Sequence, residues 1–305
     1  MPASKESQIL VTLYNGIKER MMASPPMSIQ DQRALLESLH EPASEPTDIT
    51  YEEVRCPGTQ RPAIWCKPLD ANPSQVILYL HGGAGFAGSP SSHRKLAGHL
   101  AKAAKSLALV IDYRLVPENP FPAALDDSVA AYQWLLSKGF DAKNLAVAGD
   151  SAGGNFATAS VLKLKQLGIP LPAAVVAFSP WVDMETKGES QISNADKDAL
   201  SPPGVANITV SLYLGDKVSP KEPLANPLYA DFTGMPPFHI SVGGWELLMS
   251  DGVRLAQKIR EANVEAHLEV APEMQHVYHF MAGRAPEADR TISEVGEFLR
   301  SKFGI

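Results

Sequence analysis

The stretch NLAVAGDSAGGNFATASVLKLKQ, residues 144–166, decides the fold. Its apolar first part predicts a buried strand, and its last part, from Gly153 on, predicts a helix. Between them, Gly149, Ser151 and Gly153 match G-x-S-x-G, in which a sharp strand-to-helix turn exposes a serine hydroxyl. Glycine leaves room for this turn, and the N-terminus of the following helix favours an anion formed beside the serine. The stretch therefore predicts that Ser151 is a nucleophile.

Strands and helices alternate on both sides of this turn. The predicted strands lie at residues 49–55, 63–67, 75–80, 107–112, 144–149, 173–178, 238–243 and 265–270. The predicted helices between and after them lie at residues 92–105, 122–136, 153–166, 250–262 and 286–302. The first two strands read as an antiparallel pair, and the rest of the alternation implies right-handed crossovers. We therefore expect an α/β fold with a mostly parallel central sheet, helices on both faces and a ligand site at the carboxyl ends of the strands.

Two segments depart from this alternation. Residues 1–45 precede the first strand and contain helical stretches at 7–22 and 29–39. Residues 184–224 are polar and proline-containing, and include a helical piece at 204–214. We expect N-terminal cap helices in residues 1–45 and a catalytic domain in residues 46–305, with a cap insertion at about 184–224. The alternative for that insertion is a surface excursion without a functional role.

A second glycine cluster, His81-Gly82-Gly83-Ala84-Gly85, follows the predicted strand at 75–80. This fold places backbone N–H donors for an oxyanion after that strand, so Gly82 and Gly83 are candidates, with the N–H of Ala152 as a third donor. A flexible turn is the alternative. His81 is expected to shape the loop through hydrogen bonds.

Four motifs in order resemble the hormone-sensitive-lipase-like, or bacterial type IV, esterases of the α/β-hydrolase fold. They are His81–Ala84, Asp112–Ala124 (DYRLVPENPFPAA), Gly149–Gly154 (GDSAGG) and Asn226–Asp231 (NPLYAD). The resemblance covers residues 75–300, while the first 45 residues and the cap insertion are not matched in detail. It implies hydrolysis of carboxylic esters without a cofactor, usually with short acyl chains, and often a homodimer. Ala84 stands where many members have glycine, which should leave the N–H donors intact.

Two residues are candidates for the acid that orients the catalytic histidine. Many relatives have an aspartate in a D-P-L-x-D pattern, whereas residues 244–251 here read GWELLMSD. Glu246 falls at the position of the acid, in the loop after a predicted strand. Asp251 is the alternative, but it begins a predicted helix, where capping and the helix dipole explain an acid. We therefore expect Glu246 to be the acid.

The order of residues in this fold places the histidine after the acid, which leaves His267, His276 and His279. His267 lies within a predicted strand, whereas His276 follows that strand in a loop and matches the histidine of the family. His279 is the weaker candidate. We therefore expect His276 to be the general base.

Three further polar residues are given supporting roles. Asp150 adjoins Ser151, and we expect its side chain to point away from the serine and bond neighbouring backbone. Arg114 and Glu118 are expected to form a buried polar pair that organises the loop after a strand.

Composition excludes several other classes of protein. The 305 residues carry a formal net charge of −7 with no basic block, so nucleic acid is not an expected partner. The N-terminus shows no secretory signal and no apolar segment approaches membrane-spanning length, which predicts a cytoplasmic protein without a membrane partner. Cys56 and Cys66 are interpreted as free strand thiols, which could pair if the strand register placed them opposite each other.

Together, these patterns predict a serine carboxylesterase that acts on small-molecule esters of short to medium acyl chain through an acyl-enzyme. No histidines and acids have metal-ligand spacing, so no metal is expected, and the resemblance to the esterases implies no cofactor. The candidate walls of the substrate pocket, which are equally plausible as core, are Phe86, Trp181, Tyr213 and Leu214. A ligand-binding receptor on a disabled hydrolase scaffold is a rival, although the complete triad argues against it. Hydrolysis of an amide, a lactone or a specialised acetylated metabolite stays open.

Overall fold

The computed structural model describes residues 3–57, 59, 61–202 and 204–305. Its strands form one sheet in the order β1-β2-β4-β3-β5-β6-β7-β8. They are β1 (Ile49–Val54), β2 (Ala63–Pro68), β3 (Asn72–Leu80), β4 (Ser106–Ile111), β5 (Leu145–Asp150), β6 (Ala174–Phe178), β7 (Phe238–Gly243) and β8 (Ala266–Ala271). β2 runs antiparallel to β1 and β4, and the remaining pairs are parallel. The predicted α/β-hydrolase architecture is confirmed.

Among the described residues, two α-helices precede the first strand in the chain, and the other α-helices lie between the strands or after the last one. They are α1 (Ser7–Met21), α2 (Ile29–Leu36), α3 (Pro90–Ala104), α4 (Ala123–Ser137), α5 (Ala152–Gln166), α6 (Ser190–Ser193), α7 (Val205–Leu214), α8 (Met249–Glu261) and α9 (Pro286–Phe303). None of these helices in the described part of the chain is both long enough and apolar enough to cross a membrane.

The centre of the sheet is built from continuous apolar runs. Every residue of β5 and β6 is buried, as are the last six residues of β3. Strands covered by helices on both faces favour such runs over an alternating pattern. β5 lies between β3 and β6, with Leu80 opposite Gly149 and Asp150 opposite Phe178. The segments that follow these three strands therefore meet at one edge of the sheet.

The two cysteines are both free and buried. The register of the β1–β2 pair places Tyr51, not Cys56, opposite Cys66. Cys56 was predicted to be a strand residue, but it lies beyond the end of β1. It is followed by Pro57, which has no N–H to donate to a strand ladder.

Candidate active site

Ser151 stands at the turn between β5 and α5, with φ 54° and ψ −120°. A Cβ on Gly149 would lie 2.3 Å from the carbonyl oxygen of Gly153, and one on Gly153 would lie 1.9 Å from that of Leu80. Side chains at these two positions are therefore excluded by backbone. The serine backbone is fixed from outside the turn, since Ser151 N donates to Phe178 O at 2.8 Å.

Glu246 and His276 meet above the ends of β7 and β8. The Nδ1 atom of His276 lies 2.7 Å from Oε2 of Glu246, and Oε1 of Glu246 accepts a hydrogen bond from Gly243 N at 3.2 Å. Glu246 is fully buried, and His276 lines the same cavity as Ser151. The structure thus brings the three predicted side chains to one end of the sheet.

Burial and charge set the protonation of this pair. Burial raises the pKa of the Glu246 carboxyl, and the hydrogen bond from His276 only partly opposes it. Burial alone would lower the pKa of His276, but the hydrogen bond and charge of Glu246 outweigh it and raise that pKa above its ordinary 6.5. A histidine held in this way by its Nδ1 leaves Nε2 available to a reacting group.

The alternative residues have other partners. Oδ2 of Asp251 accepts hydrogen bonds from Val182 N and Asp183 N, both at 2.9 Å. Nε2 of His279 lies 2.6 Å from the hydroxyl of Ser241. His267 lies 2.8 Å from Glu265 at the surface.

The glycine-rich loop after β3 supplies unpaired N–H groups, but not all those predicted. Gly82 N donates to Oδ1 of Asp150 at 3.1 Å and lies 3.2 Å from Nε2 of His93, so its N–H is directed into the protein. By contrast, the backbone N–H groups of Gly83, Ala84 and Ala152 have no acceptor among the described residues.

The bond to Asp150 contradicts the expected role of Gly82 as an oxyanion donor, and the free N–H group next to that of Gly83 belongs to Ala84. Gly83 and Ala84 have φ of 115° and 54° and line the cavity with Ser151. Successive backbone N–H groups in such a turn form a concave site that suits an anion.

Asp150 and His81 support this loop from below. Oδ1 of Asp150 also accepts from the hydroxyl of Tyr79 at 2.9 Å, so the carboxylate joins β3 to the loop that follows it. His81 is buried, and its Nδ1 lies 2.8 Å from Gly82 O. Burial lowers the pKa of His81 to about 3, so this ring stays neutral.

A cavity that is partly open to solvent reaches Ser151. Two of the candidate pocket walls, Phe86 and Trp181, line it. The predicted Tyr213 and Leu214 are not among its described lining residues. Tyr213 is buried behind Trp181, with ring centroids 5.7 Å apart. Lining side chains from α1, α2, α7 and nearby loops that the sequence did not single out include Tyr14, Met21, Leu36, Leu39, Leu200, Val205, Leu247 and Phe280.

Ser179 was not identified from the sequence. Its hydroxyl accepts a hydrogen bond from Val277 N at 3.0 Å. It also interacts with the Glu246 carboxyl and lowers the pKa of that group, against the larger effect of burial. Ser179 therefore lies between the loop of the acid and the loop of the histidine. The available signal is its place directly after β6, whose carboxyl end lies beside that of β5.

The predicted Arg114–Glu118 pair does not form. Arg114 instead binds the buried Asp127 of α4, with Nη2 2.8 Å from Oδ1 and the backbone N–H 2.9 Å from Oδ2. Glu118 is half exposed and pairs with Arg33 at 2.6 Å. Asp127 on α4 lies within reach of the arginine, whereas Glu118 lies in a loop that contacts Arg33 of α2.

Among the described residues, no group of three or more His, Cys, Asp and Glu side chains could hold a metal ion.

The chain is similar to several known proteins. Residues 77–280 match a family model described as the alpha/beta hydrolase fold. An acetyl-hydrolase of Streptomyces hygroscopicus is 40% identical over 242 residues, which cover 79% of this chain and 80% of that protein. An esterase of Acinetobacter venetianus is 34% identical over 231 residues, 76% of each chain. A crystal structure of an esterase from the bacterial hormone-sensitive lipase family covers all of both chains at 42% identity, with a TM-score of 0.92.

Proposed function

The chain belongs to the bacterial hormone-sensitive lipase family of α/β hydrolases and is a carboxylic-ester hydrolase, and we propose that it uses Ser151 as nucleophile, His276 as general base and Glu246 as acid. The observation that carries this proposal is the 2.7 Å contact between His276 Nδ1 and Glu246 Oε2 beside the cavity that Ser151 lines. Its substrates are esters with short- to medium-chain acyl groups.

In the first half of the reaction, Nε2 of His276 takes the hydroxyl proton of Ser151 as the serine oxygen attacks the ester carbonyl. The negative charge that forms on the carbonyl oxygen is met by the N–H groups of Gly83, Ala84 and Ala152. Each such donor contributes about 3 kcal/mol to stabilising the tetrahedral intermediate. The intermediate collapses, and the alcohol leaves with the proton held by His276.

In the second half, a water molecule gives its proton to His276 and attacks the acyl-enzyme. The same N–H groups stabilise the second oxyanion, and as this intermediate collapses His276 returns the proton to the Ser151 oxygen and the acid product leaves. Glu246 keeps its charge throughout and stabilises the imidazolium that forms in both halves. The raised pKa of His276 fits this role because it makes the ring a stronger base.

The residues that line the cavity favour apolar, uncharged substrates. No lysine or arginine occurs among its described lining residues, and the side chains around the opening are mostly aliphatic or aromatic. The name of the acetyl-hydrolase relative supports a short acyl group. We propose that α1, α2 and residues 184–224 form the cap that determines acyl length, since side chains from all three line this cavity.

The test is hydrolysis of p-nitrophenyl esters from acetate to palmitate. We expect turnover to fall as the acyl chain lengthens, and Ser151→Ala to lower kcat at least about 10³-fold with the fold intact. Ser137→Ala, at an exposed position of α4, is the matched control and should behave like wild type. Folded wild-type protein without turnover on any ester of the series would contradict the proposal and favour a receptor or a specialised substrate.

A further inference from the structure

Residues 194–201, here termed the cap loop, connect α6 to α7 and contact both loops that carry the proposed acid and base. Asp198 in this loop is only 4% exposed. Its Oδ2 accepts a hydrogen bond at 2.8 Å from the N–H of Leu247, the residue after the acid. Its Oδ1 accepts from Leu200 N and Ser201 N at 2.9 and 2.8 Å within the cap loop. A buried carboxylate thus ties the loop of the acid to the cap loop.

A second side chain of the cap loop holds the same segment from the other side. Nδ2 of Asn194 donates to Gly244 O at 3.0 Å and to Glu246 O at 2.9 Å. The carbonyl of Glu246 and the N–H of Leu247 belong to one peptide unit. Asn194 and Asp198 therefore hydrogen-bond the C=O and the N–H of that peptide.

The cap loop also reaches the residue that precedes the base. Oε1 of Gln275 accepts from Ala199 N at 2.8 Å, and its Nε2 donates to Lys197 O at 3.0 Å. Gln275 is 3% exposed and adjoins His276. One short segment therefore contacts the backbone of the acid's loop and the side chain of the residue that precedes the base.

The loop of the acid is held at its start, where Gly244 N donates to Ala271 O at 2.8 Å and Trp245 N donates to Met274 O at 3.0 Å, but its bonds around Glu246 itself are long. Between β7 and α8, Glu246 N lies 3.5 Å from Gly243 O, and Met249 N lies 3.4 Å from Glu246 O. Both distances exceed the usual 2.9–3.0 Å of an N–H···O bond, so these bonds are weak. The bonds from the cap loop are shorter, and they are made by buried side chains.

From these contacts, and resting on the proposed function above, we propose that Asp198 and Asn194 are positioning residues that hold Glu246 against His276. Seating of the cap loop is then a condition for an aligned acid and base. The cap that shapes the substrate cavity also completes the catalytic geometry, and a chain with its cap loop displaced hydrolyses esters slowly even with all three triad residues present.

The charge of Asp198 provides a second way to measure its positioning role, through the pKa of His276. The groups that face His276 are Glu246, Asp198 of the cap loop, Asp150 at the end of β5, the ring of His279, and Tyr14 of α1, whose hydroxyl donates to His276 O at 2.7 Å. Burial lowers the pKa of His276, while Glu246 first and then Asp198 and Asp150 raise it. Removing the charge of Asp198 therefore moves the pKa of His276 down, and the acid limb of kcat/KM moves to lower pH with it.

The experiment measures kcat, KM and the pH profile of kcat/KM for p-nitrophenyl butyrate in Asp198→Asn and Asn194→Ala. A misplaced acid acts on the chemical step, so we expect kcat to fall about 10- to 100-fold with KM within about twofold of wild type. The midpoint of the acid limb falls in Asp198→Asn. Asp196→Asn, an exposed acid in the same loop, is the matched control and keeps wild-type kinetics.

A double-mutant cycle separates positioning from general stability. With Glu246→Gln as background, Asp198→Asn should lower kcat less than about threefold, because its partner is already disabled. The same factor in both backgrounds, a change confined to KM, or wild-type kcat in both cap-loop variants would overturn the inference. Thermal melts identify a variant that has lost its fold, in which case the Asn194→Ala cycle decides.

The cycle also tells the two proposals apart. If Glu246→Gln keeps wild-type kcat, the triad itself is wrong and the positioning role falls with it. If Glu246→Gln is inactive while both cap-loop variants stay fully active, the triad stands and only the positioning role is wrong.

Discussion

At the scale of single residues, several side-chain-bearing positions at the active site have strained backbones, Ser151 and Ala84 among them. Ser151 and Ala84 both have φ of 54°, a region that residues with a Cβ seldom occupy and that costs about 1–3 kcal/mol each. Hydrogen bonds to the flanking backbone hold both turns, among them Ser151 N to Phe178 O and Val116 N to Gly85 O. The strain therefore coincides with the proposed nucleophile and a proposed oxyanion donor.

A prediction at this scale separates the two candidate acids. Glu246→Gln should lower kcat about 10³- to 10⁴-fold, because a neutral amide neither fixes the imidazole tautomer nor stabilises the imidazolium. Asp251→Asn should keep near-normal kcat, since its one amide oxygen can still accept from Val182 N and Asp183 N. Steady-state kinetics on p-nitrophenyl butyrate decide the matter. Near-normal turnover in Glu246→Gln together with loss in Asp251→Asn would reverse the assignment.

At the scale of elements, the loop from β3 to α3 is determined by how closely backbone and side chains approach. A Cβ on Gly82 would lie 2.2 Å from Oδ2 of Asp150, and one on Gly83 would lie 2.2 Å from Ala87 O. The loop can thus direct Gly82 N–H inward and the next two N–H groups toward the cavity only if both positions are glycine. Asp150, buried beneath it, is the acceptor that fixes this direction.

The corresponding prediction concerns Gly82→Ala. The new methyl group should push the loop off Asp150 and misdirect the donors at Gly83 and Ala84, which lowers kcat about 10²-fold or more. Gly16→Ala in α1 is the control, since a Cβ there meets nothing within 4 Å and alanine stabilises a helix by about 0.4–1 kcal/mol. Kinetics and thermal melts of both variants provide the test. Unchanged kcat in folded Gly82→Ala would contradict the role given to the loop.

At the scale of the whole molecule, the cavity is assembled from distant parts of the chain. Tyr14 from α1, Val205 from α7 and Phe280 near the C-terminal helix all line it. The N-terminal segment is anchored to the last helix, where the hydroxyls of Ser4 and Ser7 donate to Glu287. A cavity closed in this way has apolar walls on several sides. The homodimer, the cytoplasmic location and the division at residue 46 stay predictions.

Substrate charge provides a prediction at this scale. p-Nitrophenyl hemisuccinate and p-nitrophenyl butyrate have acyl chains of similar length, but the first carries a carboxylate. Because an unpaired buried charge costs several kcal/mol, kcat/KM should be at least about 100-fold lower for the hemisuccinate. Comparable values for the two esters would show that a cation reaches the acyl group. Butyramide analogues of the same chain length serve as a check on ester chemistry.

Much of the fold was predictable from local pattern. The strand predicted at 238–243 is observed at Phe238–Gly243, and the helix predicted at 153–166 is observed at Ala152–Gln166. β3 begins at Asn72, three residues before its predicted start, because Asn72 pairs with Ser106 ahead of a register shift. Sequence periodicity reflects burial, and the buried part of β3 begins only at Gln75, whereas its pairing with β4 begins at Asn72.

By itself, the sequence determined the α/β alternation, the glycine-lined turn at Ser151 and the chain order that selects Glu246 and His276 as candidates, because each is encoded by neighbouring residues or by their order. Only the tertiary structure decided that Gly82 N–H faces Asp150, that Arg114 pairs with Asp127, and that Tyr213 lies behind Trp181. These outcomes depend on the direction of an N–H, or of a side chain, relative to elements distant in the chain. Tertiary packing sets such directions, and the local sequence pattern does not encode them.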